Sequence, residues 1–411
     1  MDAVGPQDLY LRDSEKGVLL VGEAPQFDPE LVDRHSSRWD QFEIRNTEEP
    51  FVSCKPGYNS SLVFSRDGDY VDTGGALLRV SLPAANPGTG PIAWKPFVGA
   101  RLLRRVRIWA GDQLLDEVSG RSLKVLQDVY SAAGHRETSD LLLGGSVGLS
   151  TSQPQTLYVP LRLLQRGGGR TLPRNFQGWF PMAAAHKTQL RLDVDWAPLA
   201  DLLSAAGTGE AQGWFQGGFA ATVMMDRVYF AADGPATALI MAAEHTILIE
   251  TVQEIEEETV MEYGGSNATI KVPQTNITAK LDSLGSLVKC LFFAAEDRDG
   301  AYLDDAILSG TVMVGSKELF DPQNWKALSL LQRYQKTTSS NPDDRLGVHS
   351  FALYSAADAL PCGALNFSAI TRPSLKLQLR PGHGAVRVRV FALLHRFLSV
   401  RGGMVDMMME P

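Results

Sequence analysis

Val386-Arg387-Val388-Arg389-Val390-Phe391-Ala392-Leu393-Leu394 opens on a strict apolar–charged alternation and runs on as an apolar strip. Successive side chains of a β-strand point to opposite faces, so the stretch reads as a half-buried strand. Short apolar runs of this kind, bounded by turn residues, recur along the whole chain. Upstream they are Ser60–Phe64, Ala76–Leu82, Leu102–Trp109, Leu157–Leu163, Gln189–Val194 and Ala221–Phe230. Downstream they are Thr246–Val252, Ala268–Val272, Leu287–Phe293, Ile307–Val314, Val348–Leu353 and Ser374–Leu379. Asp67-Gly68, Asn86-Pro87-Gly88, Gly111-Asp112, Gly264-Gly265, Asp299-Gly300 and Pro381-Gly382 punctuate them as turns. Helical spacing is confined to Ser122–Ser131 and to Asn324–Tyr334, where Trp325, Leu328, Leu331 and Tyr334 are the apolar positions. Many strands with few helical connections favour an all-β sandwich or jelly roll over a wound α/β sheet.

The chain has 411 residues, long enough for two domains with cores of their own. A boundary is expected near Ala231-Ala232-Asp233-Gly234-Pro235, which leaves at least six strand candidates on either side. Residues 1–38 carry Pro6, Pro25 and Pro29 among many charges and read as an N-terminal arm, with domains over 39–235 and 236–411. The longer polar or Gly-rich stretches, Gly144–Gln155, Ala205–Gly218 and Gln335–Gly347, are expected to form variable outer loops.

Net charge is −8, which argues against nucleic-acid binding through a global basic field. The longest apolar run, Ala236–Ala243, stops at Glu244 and is too short to span a bilayer. Met1-Asp2-Ala3-Val4-Gly5-Pro6 does not open a secretory leader. Cys54, Cys290 and Cys362 are too few and too scattered for a disulfide framework or a zinc site, and read as buried thiols.

Candidate chemistry is sparse. Gly88-Thr89-Gly90-Pro91-Ile92-Ala93 matches a dinucleotide fingerprint as a string, but Pro91 and Pro96 break the helix such a site requires. Gly167-Gly168-Gly169 between Arg166 and Arg170 lacks the Lys-Ser/Thr of a phosphate loop and reads as a turn. The seven histidines form no close metal-ligating pair, and no Gly-x-Ser-x-Gly elbow occurs. Four Asn-x-Ser/Thr strings begin at Asn59, Asn267, Asn276 and Asn366, and read as chance occurrences. Arg101, Arg104, Arg105 and Arg107 cluster on one strand-like segment and read as a solvated or inter-subunit face. The acidic run Glu254, Glu256, Glu257, Glu258 and Glu262 reads as a solvated face rather than paired catalytic carboxylates. The expectation is therefore no catalytic residue, no cofactor and no metal site.

A set of ordered segments resembles the major capsid proteins of the nucleocytoplasmic large DNA viruses, the double jelly-roll family of iridovirus and algal-virus type. Gly5-Pro6-Gln7-Asp8-Leu9-Tyr10-Leu11 is similar to the family's opening Gly-Ala-Gln-Asp-x-Tyr-Leu, and Arg66-Asp67-Gly68-Asp69 to its Arg-Asn-Gly-Asp turn. Val106-Arg107-Ile108-Trp109-Ala110-Gly111-Asp112-Gln113-Leu114-Leu115-Asp116 resembles its Val-Glu-x-x-Ile-Gly-Gly-x-x-Ile-Asp. Leu157-Tyr158-Val159-Pro160-Leu161 resembles its Leu-x-Val-Pro-Leu strand. The most specific block is His349-Ser350-Phe351-Ala352-Leu353 followed by Pro361-Cys362-Gly363-Ala364-Leu365-Asn366-Phe367-Ser368-Ala369-Ile370. It looks like Tyr-Ser-Phe-Ala-Leu followed by Pro-Ser-Gly-x-x-Asn-Phe-Ser-Arg-Ile. The tail Leu398–Met404, with Gly402-Gly403, also fits. Ala369 stands where the family usually has Arg, and Ala100 where it has His.

The resemblance implies two consecutive eight-stranded antiparallel jelly rolls and a structural role in the virion, with no enzyme activity. It implies a homotrimer that forms a pseudo-hexagonal capsomer and tiles an icosahedral shell assembled in the host cytoplasm or nucleus. Its partners would be neighbouring capsomers and minor capsid proteins, with an internal membrane reached through the latter, and no specific nucleic acid. Two alternatives stand beside it: a minor capsid jelly-roll paralogue, and a two-domain β-sandwich carbohydrate-binding protein or enzyme. Because the arginine strand Arg101–Arg107 and the acidic run Glu254–Glu262 lie in different halves, they are expected to meet across subunits in a salt-sensitive contact.

Overall fold

The structure, a computed structural model, describes residues 42–86, 92–130, 136–165, 179–204, 215–230, 236–259, 276–285, 287–297, 302–304, 306–315, 317–337, 345–353, 363–380 and 386–408. Two antiparallel β-sandwiches follow one another along the chain. The first is built from β1 (Phe42–Pro50), β2 (Asn59–Val63), β3 (Tyr70–Asp72), β4 (Leu77–Leu82), β5 (Ala84–Ala85), β6 (Leu103–Ala110) and β7 (Gln113–Val118). It continues with β8 (Gln155–Pro160), β9 (Trp179–Phe180), β10 (Leu190–Trp196), β11 (Phe215–Gln216) and β12 (Ala220–Phe230). One sheet runs β8-β4-β12-β3-β9 with β1 also on β12; the other runs β2-β10-β6-β7, and β5 pairs with β11 apart from both. Alternation decides the packing. Leu78, Val80 and Leu82 of β4 and Val223 and Met225 of β12 share one core with Val106 and Ile108 of β6 and Leu192 and Val194 of β10.

The second sandwich contains β13 (His245–Thr259), β14 (Asn276–Lys280), β15 (Leu287–Glu296), β16 (Ile307–Val314), β17 (Lys317–Glu318) and β18 (Gln323–Asn324). β19 (Leu346–Ser350), β20 (Leu365–Asn366), β21 (Pro373–Leu379), β22 (Val386–Arg401) and β23 (Met404–Met408) complete it. Its sheets run β13-β22-β15-β19, with β20 on β15 and β23 on β22, and β14-β21-β16-β17, with β18 on β16. Several of these strands are only two residues long, so the expected eight per jelly roll do not map one to one onto the ladders.

Turn chemistry matches the sequence at two positions: Gly68 and Gly111 sit at φ +85° and +59°, where an L side chain is strained. Other expectations shift. The strand expected at Thr246–Val252 runs on as β13 to Thr259, taking in Glu254, Glu256, Glu257 and Glu258 of the acidic run. The strand expected at Val348–Leu353 ends at Ser350. Strand β1 was not anticipated, because both of its faces carry charge, and the Ala268–Val272 candidate lies outside the described residues.

The helix Gly120–Tyr130 confirms the first helical pattern. In the second, a π-type turn over Ala327–Leu331 leads into a helix over Gln332–Lys336, with Trp325 and Leu328 buried but Leu331 and Tyr334 exposed. Steps of three residues drift by roughly 60° each around an α-helix, and a wide π turn adds to the drift. The four apolar positions therefore spread off a single face. The Gly144–Gln155 stretch is not a loose loop: Phe97 N–H donates to Gly145 O at 2.9 Å, Trp94 N–H to Leu149 O at 2.8 Å and Ala85 N–H to Thr151 O at 2.7 Å.

Candidate functional site

The chemistry-bearing side chains of this chain gather at the seam between the two sandwiches. Helix Gly120–Tyr130, from the first half, is started by Ser119, whose Oγ accepts the Ser122 N–H at 3.0 Å. The helix lays Val125, Leu126, Val129 and Tyr130 on the outer face of a second-half sheet, against Cys290, Phe292, Ala294, Val348, Phe391 and Leu393. The opposite face of that sheet carries Val288, Leu291, Phe293, Val388, Val390 and Leu394 into the second core. Covered on both sides, β15 and β22 are close to continuous apolar runs. The half-buried reading of Val386–Leu394 is thereby corrected: Arg389 is buried as well.

A second tie is the C-terminal hairpin. Gly402 and Gly403, at φ +59° and +91°, turn β22 into β23, and Gly403 O accepts the Lys187 N–H at 2.9 Å. Met407 N–H donates to Gln113 Oε1 at 3.2 Å. Ile247, Ile249, Leu398, Val400 and Val405 of the second half belong to the first sandwich's core. An isolated bridge, with Glu250 N–H donating to Gln165 O at 2.6 Å, joins the halves through backbone.

Buried charge lies along the same seam. Arg389 donates from Nε to Glu296 Oε2 at 2.6 Å and from Nη1 to Glu254 Oε1 at 2.7 Å. Arg121 of the first half reaches Glu296 at 3.3 Å, and Ser119 Oγ donates to Glu254 Oε2 at 2.9 Å. Burial pushes the Glu296 carboxyl above its ordinary range, against the pull of Arg389 and Arg121. Asp116, the residue matching the family's Ile-Asp, is fully buried, and its two oxygens accept the Glu117 and Leu164 N–H groups at 2.8 and 2.9 Å. Burial raises it to about 7, opposed by those backbone donors. Lys289 and Glu250 form a buried pair beside His395, whose ring burial holds below the usual histidine range. Such pairs join the two halves of the chain through buried charge.

The residues singled out in the sequence fall as follows. Arg107 pairs with Asp195 at 2.8 Å, Arg105 with Glu117 at 3.4 Å, and Arg101 donates to Pro96 O at 3.0 Å. Glu256 pairs with Arg387 and Arg389, each at 2.7 Å. Arg105, Arg107 and Glu256 thus already have partners of opposite charge on facing strands of the same chain, because the register sets Glu256 opposite Arg389 and Asp193 and Asp195 opposite Arg107 and Arg105. Nor is the acidic run simply solvated, since Glu254 lies in the seam network. The side chains of Glu257 and Glu258, and all of Glu262, lie outside the described residues.

Cys54 and Cys290 are buried free thiols, and burial pushes Cys54 up to about 12, while Cys362 lies outside the description. Ile92 and Ala93, at the end of the fingerprint string, pair with the 150 region rather than open a helix; Gly88–Pro91 and the Gly167–Gly169 turn are outside the described residues. Asn366 caps the short turn Phe367–Ala369, its Oδ1 accepting the Ser368 N–H at 3.0 Å, and Phe367 is buried. Of the Asn-x-Ser/Thr strings, Asn59 is bonded to Asp195, Asn276 is exposed on β14, and Asn267 lies outside the description. Among the described residues no group of three or more His, Cys, Asp or Glu side chains gathers for a metal ion, and no helix is long and apolar enough to cross a membrane. The seam network was missed in the sequence because its bonded partners lie 39 to 175 residues apart; the local signal was a charged Arg389 inside an otherwise buried strip.

Two tandem β-sandwiches clamped together by a helix, a hairpin and buried ion pairs define a protein of the double jelly-roll fold. Residues 31–229 match the family described as the major capsid protein N-terminus. The chain is 23% identical over 431 aligned positions to the major capsid protein of Pyramimonas orientalis virus, covering 98% of this chain and 96% of that protein. Its fold is similar to the PBCV-1 virus capsid protein, with TM-score 0.72 at 16% identity over 90% of this chain and 97% of that one. It is also similar to the Faustovirus major capsid protein, with TM-score 0.64 at 9% identity over 96% and 97% of the two chains. By sequence the first half of the chain, and by fold nearly the whole of it, is thus similar to the major capsid proteins of large DNA viruses.

Proposed function

We propose that three copies of this chain close into a pseudo-hexagonal capsomer, and that capsomers tile an icosahedral shell. Within each copy the working division is an arm over residues 1–38 and jelly rolls over 39–235 and 236–411. The carrying observation is the clamped seam: helix Gly120–Tyr130 on the second-half sheet and the Gly402–Gly403 hairpin on the first half. Two sandwiches held rigidly side by side give one chain two related flanks, so threefold symmetry can approximate a hexagon with a heterologous contact repeated three times. Neighbouring capsomers and minor capsid proteins are the partners this reading requires. Light scattering of the purified full-length chain is expected to report close to three times 44.8 kDa. Negative-stain images are expected to show hexagonal outlines. A chain that stays monomeric when dilute and when concentrated overturns the reading.

A further inference from the structure

Strand β7 breaks its alternation at one point. Against β6, Asp116 faces Ile108 while Leu114 faces Trp109, so Leu115 is an extra residue and forms a bulge. Leu115 and Asp116 are both buried, where strict alternation would leave one of them to solvent. The bulge thereby turns a carboxyl inward, towards the segment that follows β8, in which Leu161, Leu163, Leu164 and Gln165 are all buried. A carboxylate offers about four acceptor positions. The hydrogen bonds to Asp116 fill two of them: Glu117 N–H donates to Oδ1 at 2.8 Å and Leu164 N–H to Oδ2 at 2.9 Å. The charged groups that face it are Glu117, next to it on β7, and Arg396, on β22 of the second half.

The Leu164 donor belongs to a strained piece of backbone. Arg162 and Leu164 sit at φ +52° and +48°, left-handed values that a Cβ makes costly. Such a conformation persists only where its surroundings hold it. Leu161 N–H is tied to Ala76 O at 2.9 Å, within the first sandwich. At the other end Gln165 O accepts the Glu250 N–H at 2.6 Å, from β13 of the second half. A strained strap therefore crosses from one half to the other, pinned near its end by a single carboxyl oxygen.

We propose that the Leu161–Gln165 strap is a proton-operated latch between the two halves, shut while the Asp116 carboxyl is protonated and released when it ionises. An ionised carboxyl in the shut strap lacks water and has two donors; opening hydrates it and relaxes Arg162 and Leu164 together. Burial holds the shut carboxyl up at about 7, and water returns it towards the ordinary 3.8. The shut form thus keeps a proton that the open form gives up. Opening becomes easier as pH rises from about 4 and levels off above about 7. The latch works within one chain and does not depend on the capsomer reading.

Hydrogen exchange on the full chain tests it, with protection factors corrected for the intrinsic pH dependence of exchange. Between pH 5 and pH 8 the Leu164 and Glu250 amides are expected to lose protection together, by roughly 10- to 100-fold. The Lys187 and Met407 amides, which tie the C-terminal hairpin to the first half, should change little. Asp116→Asn retains an oxygen for the Leu164 N–H and cannot ionise, so its Leu164 and Glu250 protection should be the same at both pH values. Equal protection of the unaltered chain at pH 5 and pH 8 overturns the latch. So does a loss shared equally by Lys187 and Met407, which would mean that the whole seam opens. A pH-dependent loss that survives in Asp116→Asn assigns the proton to another group and overturns it too. Should that variant fail to fold, the strap amides of the unaltered chain, compared with its hairpin amides, still decide.

Discussion

Lys289 donates from Nζ to Glu250 Oε1 at 2.5 Å, and both side chains are excluded from solvent between the two sandwiches. His395 stands in the field of both: Glu250 favours its charged form and Lys289 disfavours it. Breaking a buried pair from one side leaves an uncompensated charge, so Lys289→Met is expected to cost about 3–5 kcal/mol. Adding Glu250→Leu should restore most of that loss. Burial is the main influence holding His395 down, and Lys289 adds to it; removing Lys289 leaves Glu250 to favour a protonated imidazole in its place. The single variant should therefore be less destabilised at pH 5.5 than at pH 8, measured from urea midpoints. An equal penalty at both pH values would exclude coupling to His395.

Asp116 gives the seam a pH dependence of the opposite sign to a salt-bridged carboxylate. Its folded value of about 7 lies above the ordinary 3.8. Its contribution is intact below pH 4 and is lost as pH rises through 7, to an extent of up to about 4 kcal/mol. Asp116→Asn keeps the shape and cannot ionise. It is expected to narrow the stability difference between pH 5 and pH 8, with thermal melting at the two pH values as the measurement. A variant that tracks the unaltered protein at both would show that Asp116 does not titrate in this range.

His349 acts on the acid side. It stacks on Phe320 with ring centroids 4.2 Å apart and meets Phe351 edge-on at 4.9 Å. Burial, with Lys336 behind it, lowers it to about 4 from the usual 6.5. A buried histidine kept neutral contributes stability above 6.5 that is lost as pH falls through 4, since the unfolded chain binds the proton first. His349→Phe should flatten the acid limb of a stability–pH curve between 6.5 and 4. An unchanged acid limb would assign the acid loss to other groups.

Alternation made the sandwiches legible, because Leu78-Arg79-Val80-Ser81-Leu82 and Leu375-Lys376-Leu377-Gln378-Leu379 each bury one face and wet the other. It failed where a sheet is covered twice. In β22, Arg389 looked solvent-facing by alternation and is instead roofed by a helix that begins 269 residues earlier, at Gly120. No local pattern encodes that roof. β1 was illegible for the converse reason: as an edge strand it buries little of either face, and the brief alternation of Phe42-Glu43-Ile44-Arg45 gives way to Asn46-Thr47-Glu48-Glu49, which carries no apolar side chain. The pairing of Glu256 with Arg387 and Arg389 likewise depends on strand register, which neither run specifies alone.

The last prediction concerns how that roofing helix is seated. Gly120 is its first residue, and a Cβ there would lie 1.7 Å from Ala100 O, 2.6 Å from Ala100 C and 2.8 Å from Leu103 O. These are backbone atoms of the segment entering β6 and cannot swing away as a side chain tip would. The helix would have to slide along the β13-β22-β15 sheet, lifting Val125, Val129 and Tyr130 off Phe292 and Phe391 and drawing Arg121 from Glu296. Gly120→Ala is therefore expected to destabilise the chain by more than the ~1–3 kcal/mol of ordinary overpacking. The loss should appear first at the seam, as proteolytic cleavage between the halves under conditions where the unaltered chain resists. Gly285→Ala, with nothing within 4 Å of the added Cβ, serves as the matched control and should melt near the unaltered protein. Equal melting temperatures for the two alanine variants would mean that the seam accommodates a displaced helix, and that the clamp is looser than its contacts imply.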